Sequence, residues 1–219
     1  MRKLLRVPRM LTDLGITDAV LPSSTNLAAA KAALTVGYDH ALNFVQRTLT
    51  DFRISGAVLP SSPILAAAMV APAVGYGHVL ELGAGRGAVT QALTQLVHAD
   101  NLVAVELQPQ LATFLRQRFP QLQVVQGTAD RALDKQSKNE AIAVVSSLPF
   151  RSLPAAIRLA TIRSVLRFLA ESPGSTFIQF TYGLQEPFAA GAGFEWKPVR
   201  WVFANVPPAR IWTLTKSSN

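Results

Sequence analysis

The sequence predicts an α/β domain built on a mostly parallel sheet, and three observations lead to that fold class. Short apolar runs alternate with helical patterns from about residue 78 onward. The first of these runs breaks into closely spaced glycines and then into a helix. The last two runs have no helical pattern between them, which predicts an antiparallel pair of strands at one side of the sheet.

Composition limits the chain to one such domain with some additions. Its 219 residues, 49% of them hydrophobic, are enough for a sizeable core and exclude general disorder. The absence of Cys excludes disulfides and thiolate metal sites, and three widely separated His residues offer no ligand spacing, so no metal is expected. No apolar run reaches the ~20 residues that cross a bilayer, and we expect a cytoplasmic protein.

The N-terminal part of the chain is expected to differ from the rest. Residues 19–24 recur as residues 57–62, and residues 38–53 form an amphipathic helical pattern. That helix either packs on the domain or lies in a lipid surface. We therefore predict a helical extension over residues 1–53, with a possible membrane contact, and the main domain over residues 54–219.

The glycine-rich stretch predicts a ligand site. Gly83, Gly85 and Gly87 allow a sharp turn from strand to helix and a close approach of a ligand, and the helix over 88–97 directs its N–H groups toward it. Glu81 would repel a phosphate at this point and suits a cationic ligand with an amino-acid end, such as S-adenosylmethionine. The glycine spacing alone also fits a tight turn without a ligand.

A second acid strengthens the ligand interpretation. Glu106 ends the apolar run 102–106 and follows Glu81 by 25 residues, close to the roughly 20 expected of an acid that binds a ribose hydroxyl pair. The two acids and the glycines together predict a nucleoside-binding βαβ unit. Ala84 and Leu107, next to these residues, are included in the predicted cofactor site.

The remaining elements follow in order. Phe114 and Ile157 are expected on buried helix faces, and residues 133–140 form a polar interval. The predicted helices cover 63–71, 109–119 and 154–170, and the predicted strands cover 78–82, 122–126, 141–146, 176–182, 199–204 and 209–215.

Five stretches in succession resemble the bacterial phospholipid N-methyltransferases, which belong to the class I S-adenosylmethionine-dependent superfamily and methylate phosphatidylethanolamine toward phosphatidylcholine. The Gln-Phe-Thr-Tyr strand and the Asn-x-Pro-Pro connection are the most discriminating. The resemblance implies a Rossmann-like seven-stranded sheet of order 3-2-1-4-5-7-6 with helices on both faces, and S-adenosylmethionine as cofactor. The stretches are residues 56–63, 81–85, 147–149, 177–183 and 205–209.

The resemblance also implies cofactor contacts beyond the glycines, with two departures from the family pattern. Thr128 and Ala129 follow Gly127 where a Gly-Asp-Ala commonly holds the adenine amino group, so that contact passes to Asp130 or to the backbone. Ser146, a further cofactor contact, is followed by a second serine where related enzymes place Ser-Gly or Asn.

Methyl transfer to an amine requires that a neutral nitrogen be aligned with the methyl donor, away from water. Oxygens around Ser147 and Leu148, together with Tyr182, are predicted to accept hydrogen bonds from that nitrogen, which makes these three the candidate catalytic residues. Arg158 is an alternative phosphate contact, and Trp201 an aromatic that either faces a methylated product or packs in the core. The candidate acceptor-binding residues are Ser61, Ser62, Pro149, Phe150, Arg151 and Asn205.

The net charge of +8 indicates a polyanionic partner, either a nucleic acid or an anionic membrane. With the resemblance, we expect a monomer that methylates phosphatidylethanolamine at the inner face of the cytoplasmic membrane, without a nucleic-acid partner. One alternative is an RNA adenine N-methyltransferase. Residues 148–150 resemble the Leu-Pro-aromatic turn of those enzymes, although Ser147 replaces the Asn that they use. The other is an inactive binding module that kept the fold, against which the intact Glu81 and Glu106 argue.

Overall fold

The computed structural model describes residues 63–205 and 207–217. The predictions for the N-terminal extension, its repeat, its amphipathic helix, Ser61 and Ser62 therefore lie outside the described residues.

Helices and strands alternate through most of the described chain. The helices are α1 (Pro63–Val70), α2 (Ala88–Leu93), α3 (Pro109–Arg118), α4 (Ala129–Asp134) and α5 (Ala155–Glu171), with short 3-10 turns at Ala71–Ala73 and Ala99–Asn101. The strands are β1 (His78–Leu82), β2 (Leu102–Glu106), β3 (Gln123–Gln126), β4 (Ile142–Ser146), β5 (Thr176–Thr181), β6 (Phe194–Val202) and β7 (Ala209–Lys216).

The seven strands form one sheet in the order β3-β2-β1-β4-β5-β7-β6, which confirms the predicted order. The first five strands run parallel, and β7 pairs antiparallel with both β5 and β6. The order reverses between β1 and β4, the kind of position where open α/β sheets bind ligands beyond the carboxyl ends of their strands. Leu82 and Ser146, the last residues of β1 and β4, are paired in register at that edge.

Helices cover both faces of the sheet, so its central strands are apolar on both sides. One core cluster joins α1, α2 and α3 to one face, and the second joins α4 and α5 to the other. Every residue of β4 is buried, which agrees with its unbroken apolar sequence. The fully buried acid Glu81 in the middle of such a sheet is therefore exceptional.

Several element boundaries differ from prediction. Helix α2 ends at Leu93, four residues early, because the N–H groups of Gln95 and Leu96 donate to carbonyls three residues back, Ala92 O and Leu93 O, which tightens the chain into a turn. Helix α4 was not predicted, and its last two residues lie in the interval 133–140 that was predicted to be polar. It forms because Ala132 and Leu133 bury an apolar side against the second core cluster.

Three further predictions about the periphery were wrong. Strand β6 begins at Phe194, because Trp196 anchors it in an aromatic cluster with Phe177 and Phe188. Ile157 is 44% exposed, since no residue of α5 before Thr161 is buried, and Phe114 is 37% exposed on α3.

Among the described residues, the longest helix is too short and too polar for a transmembrane span.

Candidate functional site

The loop between β1 and α2, residues 83–87, turns through left-handed backbone at each of its three glycines. Their φ angles are 75° at Gly83, 57° at Gly85 and 81° at Gly87, a region that other residues adopt only with strain. The backbone N–H groups of Gly83 and Ala84 donate to Val105 O at 2.9 and 3.1 Å. The loop is therefore fixed against the end of β2. Apart from its chain neighbours, a Cβ built at Gly85 would come within 4 Å of only one atom of the described residues, Gly83 O at 4.0 Å.

Glu81 lies directly beneath this loop with its side chain fully buried. The Thr90 hydroxyl donates to Glu81 Oε2 at 2.7 Å. The other oxygen, Oε1, has no partner among the described residues. The pKa of Glu81 is raised to about 7, mainly by burial and to a smaller extent by the nearby charge of Glu106, and hydrogen bonding to Thr90 opposes the rise.

A buried acid without a cation predicts a pH-dependent affinity for an ammonium ligand. Because such a ligand needs the ionised carboxylate, its affinity should be full above the pKa of about 7 and fall below it. The limiting fall is about tenfold per pH unit. We expect S-adenosylmethionine to bind the chain roughly 100-fold more weakly at pH 5 than at pH 8 in calorimetric titrations. An affinity that stays constant over this range would contradict the role of Glu81.

Glu106 is held from two sides at the end of β2 and is 7% exposed. Gly85 N–H donates to its Oε2 and Gln108 N–H to its Oε1, each at 2.8 Å. Each carboxylate oxygen keeps a lone pair for another donor. Such a pre-positioned carboxylate suits a ribose hydroxyl pair, the role predicted from the sequence.

The other predicted cofactor residues lie around the same edge. Thr128 immediately precedes α4, and its hydroxyl is buried without a partner among the described residues, while Ala129 begins that helix. Leu107 is exposed directly after Glu106, and Ser146 is fully buried at the end of β4. The edge thus presents unpartnered oxygens on Glu81 and Thr128 and an apolar side chain on Leu107.

Residues 147–149, here called the acceptor turn, follow β4 at this edge. Ser147 N–H donates to Leu82 O at 2.9 Å, and Leu148 N–H donates to Ser146 Oγ at 3.3 Å. The Leu148 carbonyl accepts from Phe150 N–H at 2.9 Å and from Gln179 Nε2 at 3.1 Å. These two bonds use both lone pairs of that carbonyl. The Ser147 hydroxyl makes no hydrogen bond within the part of the chain that the structure describes, and it is available as an acceptor.

Tyr182 and Asn205 are brought together although 23 residues separate them in the chain. Burial raises the pKa of the Tyr182 hydroxyl, and its hydrogen bond with the Asn205 side chain opposes that effect. Asn205 Nδ2 also donates to Pro207 O at 2.8 Å, which ties the connection between β6 and β7 to Tyr182. The neutral phenol is a hydrogen-bond donor and acceptor at physiological pH.

The remaining predicted acceptor residues differ in their access to a ligand. Phe150 is 3% exposed and packs against Phe177 and Phe188, so its ring belongs to the core. Pro149 and Arg151 are exposed, and Arg151 donates to the Gln185 side chain. The other two candidates considered from the sequence, Arg158 and Trp201, are half-buried, and Trp201 stacks on Phe203 with ring centroids 5.7 Å apart.

Two residues of the site were not predicted as functional from the sequence. Thr90 donates a hydrogen bond to Glu81, nine residues earlier in the chain, and Gln179 donates one to the Leu148 carbonyl, 31 residues earlier. A polar residue inside the otherwise apolar run of β5 is the signal that identifies Gln179. Nothing in the local sequence distinguishes Thr90 from any other threonine in a first helical turn.

Part of this chain is similar to known methyltransferases. Residues 79–172, somewhat less than half of the chain, match the family model described as a methyltransferase domain. An ornithine lipid N-methyltransferase of Singulisphaera acidiphila is 35% identical over 109 residues, which are 47% of this chain and 56% of that protein. Ribosomal RNA small subunit methyltransferase A of Chlorobium chlorochromatii is 45% identical over 48 residues, which are 22% of this chain and 18% of that protein.

Solved structures agree on the fold. A 23S rRNA methyltransferase, ErmE, superposes with a TM-score of 0.51 at 22% identity, covering 74% of this chain and 71% of its own. A TehB-like S-adenosylmethionine-dependent methyltransferase from Corynebacterium glutamicum gives a TM-score of 0.51 at 18% identity, covering 82% and 99%.

The residues at the carboxyl edge of the sheet fit S-adenosylmethionine. The unpartnered Glu81 oxygen is an acceptor for the ammonium of its amino-acid end, the pre-positioned Glu106 is an acceptor for its ribose hydroxyls, and Gly85 leaves room for its approach. The fold is therefore that of the Rossmann-like methyltransferases, and S-adenosylmethionine is the cofactor that fits this edge of the sheet.

Proposed function

We propose that this chain catalyses the S-adenosylmethionine-dependent N-methylation of an amino phospholipid, phosphatidylethanolamine and its methylated derivatives, toward phosphatidylcholine at an anionic membrane surface. The observation that carries the proposal is the 35% identity to an enzyme named as an ornithine lipid N-methyltransferase. Both lipids present an amine at the membrane surface, and the net charge of +8 suits that surface.

The residues of the cleft divide the work between cofactor and acceptor. Glu81 and Glu106 bind the cofactor, which supplies the methyl group. On the acceptor side, the Ser147 hydroxyl and Tyr182 accept hydrogen bonds from the amine and orient its lone pair. Phe150 and the aromatic cluster behind it keep water away from the turn, which favours the neutral, nucleophilic amine.

The test is a radiolabelled methyl-transfer assay on the full chain, with phosphatidylethanolamine vesicles, ornithine lipid vesicles and structured RNA in parallel. We expect label in phosphatidylethanolamine and its methylated products. Label confined to ornithine lipid would keep the reaction and change the acceptor. Label in RNA alone would replace the proposal, and label in none would favour an inactive module.

An RNA adenine N-methyltransferase is the second candidate. The observation in its favour is the 45% identity to a ribosomal RNA methyltransferase over 48 residues. Against it stands Ser147 at the position where the resemblance expects the Asn of those enzymes.

Membrane association is expected to be electrostatic. We predict that the chain floats with vesicles containing anionic lipid, and that flotation decreases as salt rises from 0.05 to about 0.5 M because screening shortens the range of the attraction. Flotation with purely zwitterionic vesicles to the same extent would contradict this prediction.

A further inference from the structure

Gln179 is a buried polar residue that the proposed reaction does not yet use. It lies near the carboxyl end of β5, pairs in register with Ser146 of β4, and is 2% exposed. We propose that Gln179 is a positioning residue, which sets the acceptor turn through the Leu148 carbonyl so that the Ser147 hydroxyl meets the acceptor amine. The inference rests on the proposed N-methylation and adds a residue to it.

The orientation of the Gln179 amide is fixed by two carbonyl groups. Its Nε2 donates to Leu148 O and to Phe180 O, both at 3.1 Å, which uses both amide hydrogens. The reversed amide would place its oxygen against two carbonyl oxygens and is therefore disfavoured. Gln179 thus acts as a double donor between its own strand and the acceptor turn.

The turn is consequently held from strands on both sides of β4. On one side, Leu82 O at the end of β1 accepts from Ser147 N–H. On the other side, Gln179 of β5 donates to the carbonyl of the next residue, Leu148. Gly83 faces the same turn closely, since a Cβ at Gly83 would lie 2.9 Å from Leu148 Cδ2. Gln179 therefore fixes the acceptor turn relative to the loop that binds the cofactor.

A purely structural role would not explain this amide. Gln179 Oε1 is buried without a partner among the described residues, and such an acceptor lowers the stability of the fold. An apolar side chain of similar length would avoid that cost, while Leu148 O would keep its bond from Phe150 N–H. Substitution by Met is therefore expected to separate stability from turnover.

The experiment compares Gln179→Met with Gln136→Met in the full chain on phosphatidylethanolamine vesicles. Gln136 is a matched control, because its Nε2 also donates to a backbone carbonyl, Ala132 O at 3.1 Å, but lies just after α4 away from the turn. For Gln179→Met we expect kcat to fall about 10- to 100-fold through misplacement of the acceptor. Its Tm and its Kd for S-adenosylmethionine should stay near native values, and Gln136→Met should keep native kcat.

Gln179→Glu supplies a pH readout that a packing role would not produce. An ionised carboxylate cannot donate to Leu148 O, whereas the protonated acid can donate one bond. The activity of Gln179→Glu relative to the native chain at the same pH should therefore be low at pH 8 and rise as the pH falls. Native kcat in Gln179→Met, or a relative activity of Gln179→Glu that is independent of pH, would overturn the inference.

A second readout separates this inference from the proposed substrate. If the native chain labels RNA instead of lipid, the proposed function fails and the same variants are compared on RNA. If it labels neither, amide hydrogen exchange in the presence of S-adenosylmethionine decides the positioning role. Exchange at Ser147 and Phe150 should be faster in Gln179→Met than in Gln136→Met, and equal exchange would overturn the inference.

Discussion

Glu81→Gln is expected to weaken S-adenosylmethionine binding by about 100-fold, since losing one partner of a buried, hydrogen-bonded charge pair costs roughly 2–5 kcal/mol. The substitution keeps the size of the side chain and removes its charge. Because Oε1 of Glu81 has no protein partner among the described residues, the lost interaction is the one with the ligand. Isothermal titration calorimetry at pH 8 measures the effect.

The same substitution should stabilise the cofactor-free chain at pH 8, which rules out misfolding as the cause of weaker binding. The pKa of Glu81 is raised to about 7 from 4.5 in the folded state, so its stabilising contribution is full below pH 4.5 and is lost as the pH rises through 7. At pH 8 the ionised, buried Glu81 costs on the order of 3 kcal/mol, which Gln avoids. Denaturant unfolding of the native chain and of Glu81→Gln measures the difference in their stability at pH 8 and at pH 5.

Glu140→Gln is the control for a change of charge elsewhere. Glu140 is half-exposed and pairs with His78 at 3.2 Å, at the start of β1 rather than at its carboxyl end. This variant should bind S-adenosylmethionine with native affinity. Undiminished binding by Glu81→Gln, or an equal loss in both variants, would remove Glu81 from the cofactor site.

Gly87→Ala should be strongly destabilising, by about 2–4 kcal/mol. Gly87 has φ of 81°, and an added Cβ would lie 2.6 Å from Phe119 Cε2 and 3.0 Å from Leu115 Cδ2. Both neighbours are buried in the core under the glycine loop, so neither moves without disturbing α3. Urea unfolding of the cofactor-free chain measures the loss.

Gly193→Ala separates the clash from the backbone strain. Gly193 has the same φ of 81° but no atom within 4 Å of the added Cβ, so only the left-handed conformation is penalised, by about 1–2 kcal/mol. Gly87→Ala should therefore be the less stable variant. Equal stability of the two would show that the loop does not pack on α3 as described.

The sheet could be predicted because each strand carries its own signal. The fold class was predicted from the apolar runs of β1, β2 and β4 and from the last two strands, which have no helix between them. The resemblance supplied the strand order, which is confirmed. The cofactor also followed from local sequence, since Glu81, the glycines and Glu106 lie within one βαβ unit. These signals can be read from the sequence because they depend on residues that lie close together in the chain.

The hydrogen-bond connections of the acceptor side could not be predicted in this way. The Leu148 carbonyl accepts its second hydrogen bond from Gln179, which lies in another strand. The hydrogen bond between Tyr182 and Asn205 depends on the connection between β6 and β7. The exposure of Ile157 likewise depends on what packs against the first turns of α5. Long-range register decides these features, and a single sequence does not reveal it.

The most direct measurement is a crystal structure of the chain grown with S-adenosylhomocysteine, the methyl-free product of the cofactor. We predict density across the carboxyl edge of the sheet, with the ligand's ammonium about 3 Å from Glu81 Oε1 and its ribose hydroxyls at the same distance from Glu106. A ligand bound elsewhere, or one whose ammonium lies away from Glu81, would contradict the account.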